Sequence, residues 1–370
     1  MKNNLLDSVH ETLLMGPGPS SVPPDVYRAL SHPTIGHLDP TFIEIMDTIK
    51  EQLRRIMNTD NRLTLPISGT GSAGMETCFV NLVEPGDNVL VLINGVFGTR
   101  MQDVAGRLGA AVDTLEFEWG TPVDPEQVRE RLSKKDYHIV AVVHAETSTG
   151  VANPVSEIGR LVRETGALYL VDAVTSLGGM PVEADAWGVD AIYSGTQKCL
   201  SCPPGLAPVS FSERAVEKTM QRKTKVPNWY LDLSMIVNYW EGEKRAYHHT
   251  APVNMLYGLY QALNLILDEG QDAFFRRHND CHSILVETLG DMGISLFVDP
   301  DYRLPMLNAV VIPDGVDEAA VRSRLLSDHR IEIGAGLGPL AGKVWRIGVM
   351  GHTARKENIS RLTNALSEVL

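Results

Sequence analysis

The chain has 370 residues, with 33 Lys and Arg against 46 Asp and Glu, for a net charge of −13. That length exceeds one ordinary core and predicts a large domain joined to a smaller one, and 44% hydrophobic with 21% charged residues is a globular composition. The acidic surface repels phosphate backbones, which argues against a nucleic-acid partner, and no run of about 18 apolar residues is available to cross a membrane.

Residues 1–7, MKNNLLD, hold no apolar stretch of signal-peptide length. The first twenty residues, running into MGPGPSSVPP (15–24), read as an extended arm. Beyond it, short β-branched runs alternate with amphipathic stretches. LTLPIS (63–68) reads as a strand and SAGMETCFVNLV (72–83) as a helix. NVLVLIN (88–94) is a strand, followed by a helix over about 98–108. HIVAVVH (138–144) is a strand, followed by a helix over 155–165. ALYLVDAV (167–174) and DAIYSG (190–195) are two more strands. Near-continuous apolar runs separated by helices predict a parallel sheet covered on both faces. The pattern then changes. NMLYGLYQALNLILDEG (254–270) repeats its apolar residues at helical spacing and stops at Gly270. A helix over 273–290 and strands near 294–298, 307–312 and 344–350 follow, giving a smaller α+β domain that begins near residue 255.

The four cysteines are scattered. Cys199 and Cys202 make one C-x-x-C, backed by Pro203 and Pro204 with no second pair, so no zinc site is expected and reduced thiols in the cytoplasm are.

In an open parallel sheet, ligands bind at the carboxyl ends of the strands. Three strand ends carry unusual residues. In SGTGSAGME (68–76), small residues leave backbone N–H groups exposed at a helix start, which suits a phosphate dianion. No Gly-Lys-Ser/Thr follows, and Gly69, Gly71 and Gly74 fit G-x-G-x-x-G without an evident acidic partner, so a plain tight turn explains the stretch equally well. Asp172 ends a buried apolar strand, where a carboxylate needs hydrogen bonds or an opposite charge unless it merely caps the next turn. Lys198 follows Ser194, Gly195 and Thr196 in YSGTQKCL (193–200). Such a lysine either turns to water or is held in a pocket for chemistry. Phosphate turn, aspartate and lysine together are the set that pyridoxal phosphate needs: a cradle, a carboxylate that keeps the ring nitrogen protonated, and an amine for a Schiff base.

With these residues in place, the chain resembles the class V, fold-type I aminotransferases of the alanine–glyoxylate and serine–pyruvate branch. The matching stretches are GPGPS (16–20), SGTGS (68–72), NGVFG (94–98), HAETSTG (144–150), VDAVTSLGG (171–179), SGTQK (194–198), YHHTAP (247–252) and KVWRIGVMG (343–351). The resemblance implies an α/β large domain over 21–254 with a mainly parallel, seven-stranded sheet. It also implies an α+β small domain over 255–370, and an arm over 1–20 that lies on the partner subunit of a homodimer.

The same resemblance implies the site. Lys198 is then the Schiff-base lysine, whose amine, once substrate has displaced it, serves as acid and base of the 1,3-proton shift. Asp172 pairs with the pyridinium nitrogen. Val174 packs on one ring face and Phe97 stacks on the other, where many relatives carry Trp. Backbone groups of Thr70, Gly71 and Ser72 hold the phosphate, helped by Gln197, and Thr147 lies near the ring hydroxyl. Tyr247 and Thr250 reach the phosphate of the neighbouring subunit, so the active sites are shared. Arg346 forks onto a substrate carboxylate, with Gly16 and with His37 of TIGHLDP (34–40) completing the substrate pocket. His248 and His249 are expected to point apart and to lack a third ligand, so no metal is implied.

The implied reaction is ping-pong transamination by way of pyridoxamine phosphate, from alanine or serine to glyoxylate or pyruvate. Ureidoglycine–glyoxylate relatives share GTQKCLS (195–201) but tend to carry Gln and Asn where His37 and Tyr247 stand, which argues against that donor. Hydroxykynurenine transamination stays open. Cysteine desulfuration needs a nucleophilic cysteine in a mobile small-domain loop, and GAGLGPLAG (334–342) has none.

Overall fold

A computed structural model describes residues 4–241 and 245–370. Seven strands make its central sheet: β1 (Leu63–Ser68), β2 (Asn88–Ile93), β3 (Ala111–Glu116), β4 (Ile139–Val143), β5 (Leu168–Asp172), β6 (Ala191–Tyr193) and β7 (Leu206–Phe211). Their order across the sheet is β1-β7-β6-β5-β4-β2-β3. Only β7 runs against its neighbours, β1 and β6; the other pairs are parallel. Strands β4, β5 and β6 are buried along their whole length, as unbroken apolar runs require in a sheet covered on both faces.

Two strands are not evident in the sequence. β3 reads AVDTLE and lies at the sheet edge, exposed at both ends, so it carries no apolar run. β7 contains Pro208, which ordinarily counts against a central strand. Pro208 sits opposite Pro66 of β1, and two residues lacking N–H groups can face each other only at a non-hydrogen-bonded position of the ladder. The strand expected near 294–298 reduces to a single bridge, Leu296 to Val310.

Helix α1 (Pro40–Met57) opens at an Asp39 cap and buries Phe42, Met46, Ile49, Leu53 and Ile56 along one face. Helices α2 (Gly71–Leu82) and α3 (Val96–Arg107) follow β1 and β2, so both start at the carboxyl edge of the sheet. Helix α4 (Val253–Glu269) ends at Gly270, as its sequence predicts, and packs into the same core as the sheet. A second core is built from α5 (Gln271–Asp291), the antiparallel sheet of β8 (Leu307–Val311), β10 (Val344–Gly348) and the short strand β9 (Gly334–Ala335) that pairs with β10 without adding to the core, and α6 (Lys356–Val369). The amino-terminal segment is not simply an extended arm. Leu13–Leu14 pairs in parallel with Ile331–Glu332, and Leu13 and Met15 are buried in the second core. No described helix is long and apolar enough to cross a membrane.

Candidate active site

The carboxyl edge of the sheet gathers the chemistry. After β1 the chain passes Gly69 and Thr70 into α2. Thr70 is the extended cap residue, and the Ala73 N–H is already given to the Thr70 carbonyl at 2.7 Å. The amides of Gly71 and Ser72 come before that bond and have no intrahelical acceptor. Gly71 lies against the next strand loop. A Cβ there would meet Val174 Cγ2 at 3.3 Å and Gly195 Cα at 3.6 Å, and a Cβ on Gly195 would lie 2.8 Å from Gln197 Oε1. Among the described residues that buried Gln197 oxygen has no partner, at the end of an amide that can turn its NH2 toward a ligand.

Asp172 closes β5 and is 5% exposed. Its Oδ1 accepts from the Val174 N–H at 2.8 Å, and its Oδ2 from Tyr193 Oη at 2.7 Å. Burial pushes the carboxyl up to about 6, opposed by these two hydrogen bonds and by the charges of Lys198 and Arg100.

Lys198 follows β6 and is half-buried. Its Nζ donates to the Pro17 carbonyl, and a Cβ on Gly18, whose φ is +110°, would lie 2.7 Å from that nitrogen. Ser20 holds the loop from the other side, its Oγ donating to the Lys198 carbonyl at 2.6 Å and its N–H to the Gln197 carbonyl at 2.8 Å. Burial, then the Arg346 charge, draws the Lys198 amine down to about 8, and Asp172 works against them.

Phe97 lies in the first turn of α3 with the Arg100 guanidinium 5.0 Å from its ring centre. Thr147 sits in the short hairpin Ala145–Glu146/Val151–Ala152. Its carbonyl accepts from Arg346 Nη1 at 3.3 Å, while Arg346 Nε donates to the Ala335 carbonyl at 2.7 Å. Arg346, in the middle of β10, is 8% exposed.

Gly71, Ser72, Phe97, Thr147, Asp172 and Val174 share one cavity with Gln197 and Lys198. Thr70, Arg346, Gly16, His37, Tyr247 and Thr250 do not line it. Gly16 packs where β10 passes the amino-terminal strand, so closely that a Cβ on Gly348 would strike its carbonyl. Tyr247 is 61% exposed, its Oη 3.3 Å from Thr250 Oγ1 and its ring 5.2 Å from that of His37. His248 and His249 do not point apart as expected. Their rings meet at Nδ1–Nδ1 2.8 Å because this stretch is not a strand, and the pair is taken up by Trp229 and Ser68.

Three residues of the site carry no signal in the sequence alone. Tyr193 reaches Asp172 because parallel pairing sets the two opposite each other. Arg100 enters the cavity one helical turn after Phe97. Glu146, fully buried, accepts hydrogen bonds from Phe97 and Ser148; only its place inside HAETSTG marks it.

These donors fit pyridoxal phosphate. Gly71 and Ser72, whose amides have no intrahelical acceptor, line the cavity with Gln197, the paired carboxylate of Asp172 and the amine of Lys198. Sheet, cavity and lysine together define a pyridoxal-phosphate-dependent enzyme of fold type I. The profile of the class-V aminotransferases matches residues 19–362, and the chain belongs to that family and is an aminotransferase. Its similarity to individual members runs the length of the chain. An alanine–glyoxylate aminotransferase of Nostoc sp. superposes with a TM-score of 0.96 at 51% identity, over 98% of this chain and 96% of that one. The (S)-ureidoglycine–glyoxylate transaminase of Bacillus subtilis is 41% identical over 96% of this chain and 90% of its own. The alanine–glyoxylate aminotransferase of Callithrix jacchus is 41% identical over 98% and 88%.

Proposed function

We propose that this aminotransferase moves the amino group of a small L-amino acid, alanine or serine, to glyoxylate or pyruvate. The observation that carries the reading is Arg346. It is a nearly buried guanidinium held by two backbone carbonyls, one of them that of the cavity residue Thr147. All of these substrates carry a carboxylate, and a pre-oriented fork binds one bidentately. The names of the relatives support glyoxylate as acceptor.

Bound in the cavity, pyridoxal phosphate supplies a carbonyl that condenses with amines and a ring that draws electron density from the substrate Cα. Gly71 and Ser72, with Thr70 and Gln197, would hold its phosphate. Asp172 would hold the ring nitrogen with its proton, Val174 and Phe97 would flank the ring, and Thr147 would lie near its hydroxyl. Lys198 Nζ would take the proton from the substrate Cα and hand it on to the carbon that was the cofactor's aldehyde, the 1,3-shift that transamination requires. An amine drawn down to about 8 is partly neutral near neutral pH, as a general base must be.

A homodimer with shared sites is part of the proposal. Tyr247, Trp229 and Tyr230 form an exposed aromatic face beside His37, and large exposed aromatic patches mark surfaces that are covered in the working molecule. Light scattering at twice the chain mass would support it, and a monomer would not. A cytoplasmic setting goes with four free, buried cysteines.

The ureidoglycine–glyoxylate reaction is the second reading, favoured by the 41% identical relative. The imidazole of His37 against the Tyr247 ring makes a less amide-like surface than that donor calls for. Desulfuration is disfavoured, because all four thiols are buried and burial raises each of them away from the reactive thiolate. The deciding experiment is the visible spectrum of the purified protein as L-alanine, L-serine and then glyoxylate are added. Bleaching by a donor and return of colour with glyoxylate is expected. Colour that neither donor changes removes alanine and serine.

A further inference from the structure

Glu146 has no part in the chemistry proposed above, yet it is 0% exposed and its carboxyl group bonds to the amide of Phe97, a residue that lines the cavity. A buried carboxylate is costly unless every lone pair is used. Here Oε1 accepts from the Ser148 N–H at 3.0 Å and from Ser148 Oγ at 2.6 Å, while Oε2 accepts from the Phe97 N–H at 3.2 Å. Ser148 Oγ in turn accepts from the Val96 N–H at 3.0 Å. Two of the first amides of α3, Val96 and Phe97, are therefore capped by the hairpin and not by the helix's own cap residue, Gly95, which has no side chain to offer. Gly95 is small for this reason. A Cβ there would stand 2.4 Å from Glu146 Cδ and 2.5 Å from Ser148 Oγ. An anion at a helix start is also where the helix dipole favours negative charge.

The arrangement joins two walls of the cavity. Phe97 stands in the turn that Glu146 caps, and Thr147 is the residue directly between Glu146 and Ser148. The same short loop that fixes Phe97 thus sets the Thr147 carbonyl on which Arg346 rests. We propose that Glu146 is a positioning residue for the cofactor ring, acting through the amide cap it places on Phe97. The proposal rests on the reading of the cavity as the pyridoxal phosphate site. It assigns to Glu146 no contact with cofactor or substrate.

The test is a double-mutant cycle between Glu146→Gln and Phe97→Ala. Glutamine keeps the shape and one acceptor oxygen. Ser148 supplies two donors and Phe97 one, so the remaining oxygen stays at Ser148 and the new NH2 faces the Phe97 N–H, removing that bond. Two readouts are taken on each holoenzyme. One is the pyridoxal phosphate concentration that fills half the sites; the other is the visible circular dichroism of the bound cofactor, which reports ring orientation. Glu146→Gln is expected to weaken cofactor binding about 5- to 20-fold and reduce the dichroism, the loss of one buried hydrogen bond. With Phe97→Ala already present, the further change from Glu146→Gln should fall below about twofold. Wild-type affinity and dichroism in Glu146→Gln would overturn the proposal, and so would equal effects in both backgrounds. Should Glu146→Gln not fold, Ser148→Ala strips the Val96 cap from the same loop and is read by the same cycle. Failure of the wild-type protein to bind pyridoxal phosphate would instead sink the cofactor reading, so the two failures are distinguishable.

Discussion

Tyr193 donates its phenolic hydrogen to Asp172 Oδ2 at 2.7 Å, from the neighbouring parallel strand and the residue directly opposite. With the Val174 amide it forms the pair of hydrogen bonds that keeps a buried carboxyl at about 6 and no higher. Tyr193→Phe removes one of them. The carboxyl then rises further and is less often ionised at neutral pH, so its hold on a protonated ring nitrogen weakens. Cofactor affinity should fall about 5- to 10-fold, corresponding to roughly 1 kcal/mol for one hydrogen bond to a buried acceptor. Titration of the apo-protein with pyridoxal phosphate checks this, and an unchanged affinity would show that Tyr193 plays no part in holding Asp172.

Lys198 predicts a pH dependence. Its amine sits at about 8 in the folded chain against 10.5 ordinarily. Only the neutral amine attacks a carbonyl, so capture of pyridoxal phosphate by the apo-protein should quicken about tenfold per pH unit below 8 and level off above it. An inflection near 10 would mean the amine is not perturbed. Stability follows the same linkage. Between about 8 and 10.5 the unfolded chain holds the proton that the folded chain has lost, so the apo-protein gains stability as pH rises through that window. Lys198→Met should be more stable than wild type at pH 7 and lose that advantage by about pH 10, in urea unfolding followed at both. It should also abolish turnover, by at least the roughly 10²–10⁴-fold that a general base contributes.

Arg346→Ala should raise KM for the amino donor and for the 2-oxo acid alike, about 10- to 100-fold, since both present a carboxylate to the same fork. Arg346→Lys should recover only part of this, because an ammonium cannot donate two parallel hydrogen bonds. Steady-state kinetics with each substrate varied in turn is the check. A change for one substrate alone would mean that Arg346 is not the shared anchor.

Gly18 is held at φ +110°, where a Cβ would lie 2.7 Å from Lys198 Nζ. Gly18→Ala should therefore cost about 1–3 kcal/mol of stability through its backbone conformation, and should also lower kcat by displacing the lysine. Thermal unfolding and turnover are measured on the same preparation. A variant that loses stability but keeps wild-type turnover would show that the amino-terminal segment does not hold Lys198 in place.

The unbroken apolar runs of β4, β5 and β6 state the parallel sheet in the sequence itself, because both faces of those strands are buried and no alternation is possible. The ends of the runs then place Gly71, Asp172 and Lys198 on one edge, which is why the cofactor is legible without coordinates. β3 and β7 are not legible. An edge strand need not be apolar, and Pro208 in β7 runs against the rule for a central strand while taking a non-hydrogen-bonded position toward β1. What the fold alone decides is long-range. Tyr193 meets Asp172 through strand register, and Glu146 meets Phe97 through a hairpin packed on a helix start. Pro17 and Ser20 meet the Lys198 loop across 181 and 178 residues of chain. None of these contacts leaves a periodic or compositional mark, since each depends on where two distant segments come to rest. The residue types that carry the chemistry were fixed by sequence, and the hydrogen bonds that set their ionisation and orientation exist only once the tertiary structure has closed around them.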